Sequence, residues 1–242
     1  GRHVLAELTR HPVDVVAVTR NAGSMVDAGS SIHVVEMDLT QTGAGSYERL
    51  GRPDVLIHLA WDGLPNYKSL HHFETELPKQ YRFLKALIEA GLPALLVAGT
   101  CIEYGMQSGA LSEDMAPSPC TPYGYAKDAL RRQLEFLGSV GSYKLIWARL
   151  FYAYGDGQSK YSLFPQLQAA ARRGDRIFNM SGGEQLRDYL PVKEVARLLV
   201  KLALCGYGGV VNVCAGEPIS VRRLVENWIQ QNAWDIRLNL GH

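Results

Sequence analysis

Leu95-Leu-Val-Ala-Gly-Thr100 is an apolar run that ends in a hydroxyl, and it leads through Cys101-Ile-Glu-Tyr-Gly105 and a loop to Pro122-Tyr-Gly-Tyr-Ala-Lys127. A short, continuous apolar run of this kind reads as a strand buried on both faces, as in a parallel sheet. Pro suits the first turn of a helix, so Pro122 marks a helix start. The spacing Tyr123-x-x-x-Lys127 then puts a phenol and an ammonium on one helix face, one turn apart, where the ammonium favours the ionised phenol. Functional residues in open α/β sheets gather at the carboxyl ends of strands, so Thr100 stands where a substrate-orienting hydroxyl belongs.

The same interval recurs at Tyr81/Lys85 and Tyr189/Lys193, in different company. Tyr81 lies in an apolar-periodic helix, where an aromatic is core, and Pro191 interrupts the turn between Tyr189 and Lys193. Working outward, apolar runs at 13–18, 32–37, 55–60, 94–98, 145–150 and 210–213 alternate with helix-period segments near 2–10, 70–90, 123–138, 161–173, 192–204 and 220–231. That rhythm predicts an α/β fold with a doubly wound parallel sheet. The Ser-, Pro- and acid-rich stretch 105–121 reads as a loop over a strand end. His71-His72 lacks a third ligand at usable spacing and reads as a cap or a solvent-facing pair, and Trp228 and Trp234 read as packing residues.

With 242 residues, 47% of them hydrophobic, the chain can bury a full core. Its 25 basic and 24 acidic residues are interspersed, for a net charge of +1, with no basic stripe for nucleic acid and no polybasic membrane patch. Any anionic ligand must therefore be met locally. The four cysteines, at 101, 120, 205 and 214, form neither a Cys-x-x-Cys pair nor a disulfide framework, which points to no metal site and to a cytoplasmic location. No apolar run approaches the ~20 residues that span a bilayer.

The Thr100, Tyr123 and Lys127 constellation resembles the short-chain dehydrogenase/reductase superfamily, and within it the extended branch of nucleotide-sugar epimerases, dehydratases and reductases. Asp54-Val-Leu-Ile-His-Leu-Ala60, Ala148-Arg-Leu-Phe-Tyr-Ala-Tyr-Gly155, Arg187-Asp-Tyr-Leu-Pro-Val192 and Val211-Asn-Val-Cys-Ala-Gly-Glu-Pro-Ile-Ser-Val221 are similar to that branch's successive signatures, in its order. The resemblance implies that Tyr123 is the acid/base, that Lys127 holds the nicotinamide ribose and lowers the phenol's pKa, and that Thr100 bonds the reacting sugar oxygen. It also implies that Arg187 grips the substrate's diphosphate. Cofactor contacts are implied for Gly1, Arg20, Asn21, Asp38, Leu39, Leu59, Ala60 and Phe151, besides Tyr123 and Lys127. In such folds a carboxylate after the second strand suits NAD, whereas Arg accepts the extra phosphate of NADP. Arg20, with Ser24 beyond it, favours NADP(H), with NAD(H) as the other option. Trp61 replaces a small residue common in the branch, and Tyr152 replaces a frequent Asn.

Gly1 resembles the third glycine of a phosphate-binding turn, so the first strand and the glycine-rich turn are expected to be missing. The dinucleotide-binding domain is expected over 1–155, and a small C-terminal substrate cap over 156–242, with sheet elements returning around 187–214. The resemblance implies a reductase, or in reverse a dehydrogenase, acting on the 4-keto group of a nucleotide-linked 6-deoxyhexose. A nucleotide-sugar 4-epimerase with NAD and a non-catalytic NADP-binding sensor or assembly factor are the alternatives. A dehydratase would place an acidic pair directly after the Thr, whereas here Cys101 and Ile102 intervene before Glu103. Helices near 70–90 and 123–138 resemble those through which the family forms homodimers.

Overall fold

Helices are interspersed among the strands along the chain. α1 (Arg2–Leu8), β1 (Val15–Thr19), β2 (Ile32–Glu36), the single-turn α2 (Ser46–Arg49), β3 (Val55–His58), α3 (Leu77–Glu89), β4 (Ala94–Thr100), α4 (Pro122–Gly138) and β5 (Lys144–Leu150) come first. β6 (Tyr152–Tyr154), α5 (Leu163–Arg173), β7 (Ile177–Met180), β8 (Leu186–Arg187) and β9 (Tyr189–Pro191) follow. α6 (Val192–Leu204), β10 (Gly209–Val213), β11 (Ile219–Ser220), α7 (Val221–Gln231) and β12 (Arg237–Leu240) end the series. This computed structural model describes residues 1–25, 32–41, 43, 45–139 and 141–241. The side chain of Ser24 lies outside what is described.

Strands β10, β5, β4 and β3 form one parallel sheet in that order. β1 and β2 form a second parallel ladder, and among the described residues no strand pairing joins the two. Register aligns Val97 with His58 on one side and Trp147 on the other, and Thr100 with Leu150, so the strand ends carrying His58, Thr100 and Leu150 line one edge of the sheet. Leu95, Leu96 and Val97 are wholly buried, as a strand covered on both faces requires. Phe83, Leu84 and Leu87 of α3 and Leu130 and Leu134 of α4 pack with Leu95, Val97 and Trp147 into one cluster. Each such side chain contributes roughly 1.5–3 kcal/mol by leaving water.

Two compact units divide the chain. The first comprises Gly1–Leu150 with Ala196–Val213, and the second Phe151–Val195 with Cys214–His242. The second has its own core, in which Leu167, Phe178, Met180, Leu224, Val225 and Trp228 are buried together. Trp228 meets Phe164 and Tyr154 with ring centres 4.9 and 5.1 Å apart, so it is a packing residue. Tyr81 packs against the core of the first unit, and Pro191 ends β9 just before α6 begins.

Candidate active site

β4 delivers Thr100 at its carboxyl end, and a 3-10 turn over Cys101–Tyr104 follows at once. Thr100 Oγ1 accepts from the Ile102 amide at 3.3 Å, while Glu103 Oε1 accepts from the Thr100 amide at 2.8 Å. This reciprocal cap fixes the backbone on both sides of the hydroxyl. Glu103 is itself held from below: Trp147 Nε1 donates to its two oxygens at 3.0 and 3.1 Å, and Arg149 Nε donates at 2.8 Å. Glu103 and Arg149 are both buried, and burial pushes the Glu103 carboxyl up although Arg149 draws it down. Gly99 makes room for this cluster. A Cβ there would lie 2.3 Å from Trp147 Nε1 and 2.7 Å from Glu103 Oε1.

Pro122 opens α4, and the Thr121 hydroxyl caps it by accepting from the Gly124 amide at 3.1 Å. The first turn of α4 carries Tyr123 to the Thr100 side chain, with which its hydroxyl hydrogen-bonds. Lys127 lies one turn on, only 3% exposed. Its Nζ donates to the Ala98 carbonyl at 2.9 Å and stands 3.9 Å from the Trp61 ring centre and 5.9 Å from that of Tyr123. Burial depresses the Lys127 ammonium to about 7, against the pull of Glu103 and Glu76.

The expected lowering of the phenol by Lys127 is not found in the protein alone. Burial pushes Tyr123 up, Tyr67 and Glu103 add to the rise, and only the Thr100 hydrogen bond opposes it.

The segment after β3 encloses this pair. Trp61 Nε1 donates to His72 Nδ1 at 3.1 Å, and His72 Nε2 lies 2.8 Å from the Asn66 carbonyl. An indole N–H can only donate, so Nδ1 is the bare nitrogen and Nε2–H donates to Asn66. The reading of His71-His72 as a cap or solvent-facing pair is corrected for His72. It sits wholly buried in a π-helical turn (His72–Glu76), its ring edge-on to Tyr123 at 5.1 Å, because both ring nitrogens find partners inside.

His71 does meet acids: Asp62, His71 and Glu76 place one ligand atom each within 4.8 Å of one another. Glu76 Oε1 is already paired with the Lys79 ammonium, and Oε2 accepts from the Asp62 amide and Gln80 Nε2. A lysine cation thus holds the place a metal would need. His58, at the end of β3, is fully buried and pushed down to about 3, first by burial and then by the nearby Lys127 charge, so it is neutral.

Arg20 follows β1 directly and is exposed, and Asn21 bonds the Gly23 amide through Oδ1 at 2.9 Å. Asp38, past the end of β2, accepts from the Thr40 amide and hydroxyl at 2.8 and 2.9 Å, and these bonds hold its carboxyl low. Leu39 packs on the core, Leu59 is half-buried, and Ala60 is exposed beyond β3. The Gly1 carbonyl accepts from Leu5 at the start of α1. The donor set suits a dinucleotide: the Lys127 ammonium has three N–H groups and one protein carbonyl, which leaves donors for a ribose diol.

Phe151 and Arg187 belong to the second unit. Phe151 is half-buried. Arg187 is exposed, with its guanidinium carbon 5.3 Å from the Tyr152 ring centre. Asp188 does not pair with it: the Asp188 carboxylate accepts from the Ala215 and Gly216 amides at 2.6 and 2.7 Å. Tyr152 therefore offers Arg187 a ring to lie on; Nη1 donates to the Leu186 carbonyl at 3.1 Å, and the exposed guanidinium pairs with no carboxylate among the described residues.

The sequence profile of the NAD dependent epimerase/dehydratase family matches residues 1–214. The chain belongs to the NAD dependent epimerase/dehydratase family. Its NAD(P)-dependent character follows from that membership. A dTDP-6-deoxy-L-talose 4-dehydrogenase (NAD(+)) of Aggregatibacter actinomycetemcomitans is 27% identical over 239 residues, 98% of this chain and 88% of that one. A dTDP-4-dehydro-6-deoxyglucose reductase of Escherichia coli is 27% identical over 181 residues, 71% of this chain and 57% of the relative. MoeE5, solved with UDP-glucose and NAD, superposes with a TM-score of 0.80 at 28% identity, covering 100% of this chain and 82% of that chain. No helix among the described residues is long and apolar enough to cross a membrane.

Proposed function

We propose that this family member reduces the 4-keto group of a nucleotide-linked 6-deoxyhexose, or in reverse oxidises its 4-hydroxy group, with NADP(H) as the favoured cofactor. The observation that carries the reading is the meeting of Thr100, Tyr123 and Lys127 at the end of β4. Bound NADP(H) supplies or accepts the hydride at the sugar C4. In reduction, Tyr123 gives its phenolic proton to the sugar oxygen as the carbonyl becomes an alcohol. Thr100 hydrogen-bonds the same oxygen and orients it. Lys127 holds a ribose diol through its remaining donors. Burial keeps the phenol protonated in the protein alone, so the proton to be given is in place, while its release to the ketone oxygen calls for the positive charge that an oxidised nicotinamide would bring. The names of the talose dehydrogenase and the deoxyglucose reductase support a 6-deoxy sugar as substrate.

Arg20 supports NADP(H), since an exposed guanidinium after β1 suits the 2′-phosphate. Arg187 on the Tyr152 ring supports a diphosphate contact. A homodimer through α3 and α4 and a cytoplasmic setting complete the reading, the latter supported by four cysteines that form no disulfide among the described residues. The competing reading is a redox-neutral 4-epimerase with NAD, favoured by the NAD and UDP-glucose bound to MoeE5.

Deuterium at C4 of the reduced nicotinamide separates the two. The reductase reading predicts deuterium at C4 of a dTDP-6-deoxyhexose product, with one NADPH consumed per sugar. Sugar inverted at C4 with no NADPH consumed, or no label in the sugar, would defeat it.

A further inference from the structure

Lys127 is a buried cation whose only protein hydrogen bond among the described residues goes to the Ala98 carbonyl. Its other close neighbour is the face of Trp61, with Nζ 3.9 Å from the ring centre. The indole has little freedom. Its N–H is held by His72 Nδ1 at 3.1 Å, and His72 is held in turn by the Asn66 carbonyl at 2.8 Å. The His72 ring runs roughly parallel to the indole, 28° off with centres 6.4 Å apart, and stands edge-on to Tyr123. Trp61 meets the same Tyr123 ring edge-on at 6.0 Å. One aromatic strap thus touches both groups at the centre of the reaction proposed above.

We infer that Trp61 is a positioning residue for Lys127: its indole face supports the ammonium, and His72, locked between the indole N–H and the Asn66 carbonyl, sets the plane of that face. The inference rests on the reading of Lys127 as the ribose-holding cation. An aromatic face attracts a cation most where water is excluded, and here the ammonium is buried and the indole partly so. His72 is required in one tautomer, because a proton on Nδ1 would repel the indole N–H. The other charged or titratable groups around Lys127 are Glu103 after β4, Glu76 in the π-helical turn, His58 at the end of β3 and Tyr123 on α4. All are unchanged in the variants below. Removing the ring while keeping an apolar side chain of similar reach withdraws stabilisation from the charged ammonium, so Lys127 gives up its proton at lower pH.

The test follows Lys127 directly, in the protein labelled with 13C at lysine Cε and with the resonance assigned through Lys127→Met. Trp61→Leu is expected to lower the pH at which this resonance titrates by about one unit, the size of shift that a shielded cation–π contact supports. Trp61→Phe keeps a weaker face and shifts it by less. His72→Asn keeps an acceptor for the indole N–H and stays near the wild type, whereas His72→Leu shifts in the direction of Trp61→Leu. The alkaline limb of kcat/KM for NADPH oxidation is expected to move with the resonance, which a merely structural loss would not produce. A folded Trp61→Leu protein titrating with the wild type overturns the inference, and if that variant fails to fold, an unshifted Trp61→Phe does so. Movement of the resonance without movement of the alkaline limb upholds the Trp61–Lys127 contact and defeats instead the catalytic reading of Lys127.

Discussion

Gly124 approaches Ile102 so closely that a Cβ on it would stand 2.8 Å from the Ile102 carbonyl oxygen and 3.0 Å from that residue's Cγ2. The helix bearing Tyr123 and the turn after Thr100 are brought together by the absence of one side chain. Gly124→Ala must push α4 away from the turn and separate the phenol from the hydroxyl. Overpacking of this kind costs about 1–3 kcal/mol, and a misplacement near 1 Å costs on the order of 100-fold in rate. Steady-state kinetics beside thermal unfolding are expected to show a kcat loss far larger than the stability loss explains.

Beneath Thr100, the buried Glu103 depends on Arg149. Arg149→Met leaves a carboxylate shielded from water without its cation, a change that costs about 3–5 kcal/mol in buried pairs. Glu103→Gln combined with Arg149→Met removes both charges and is expected to recover much of that loss while leaving Thr100 less well held. Urea denaturation of the two variants measures the recovery. A double variant no more stable than Arg149→Met would contradict the picture.

Lys127 sets stability against function. Its ammonium is depressed from 10.5 to about 7, so between those values the unfolded chain holds a proton that the folded chain has released. Stability from this group therefore grows as pH rises from about 7 toward 10.5 and is lost as pH falls through about 7. Lys127→Met is expected to be more stable than the wild type at and below neutral pH, by at most roughly 5 kcal/mol, with an advantage that shrinks toward pH ~10. Denaturation at a series of pH values reads this directly, and a difference that does not change with pH would contradict it.

The proposed preference for NADP(H) rests on Arg20. A charge-assisted contact to phosphate contributes about 1.5–3 kcal/mol, so Arg20→Ala is expected to lower kcat/KM for NADPH by roughly 10- to 100-fold and to change that for NADH far less. Equal losses with both cofactors would remove Arg20 from phosphate recognition.

The sequence disclosed what depends on pattern. The run ending at Thr100 is a doubly covered strand, Pro122 starts its helix, and the βαβ rhythm matches the observed strands and helices closely, since each of these rests on local periodicity and turn chemistry. β7 and β12 were not legible, because four-residue strands such as Ile177–Met180 and Arg237–Leu240 carry too little periodicity. At the site, the strand end at Thr100 and the one-turn spacing of Tyr123 and Lys127 were readable, whereas the contacts of Gly99, Gly124, His72 and Arg149 join residues far apart in the chain. Glu103 had a local signal in Thr100-x-x-Glu103, the capping-box spacing. The direction of the Tyr123 shift was misread for the same reason: spacing shows a neighbouring ammonium but not how deeply both groups are buried.

The most direct test of the proposed reaction is NADPH absorbance with a dTDP-4-keto-6-deoxyhexose, for the wild type and for Tyr123→Phe, which deletes only the phenolic oxygen. The wild type should oxidise NADPH, and the variant should still bind NADPH while losing at least about 100-fold in kcat, the scale of a general acid. Turnover in Tyr123→Phe within a few-fold of the wild type, or NADPH that binds to the wild type and is never consumed, would contradict the account.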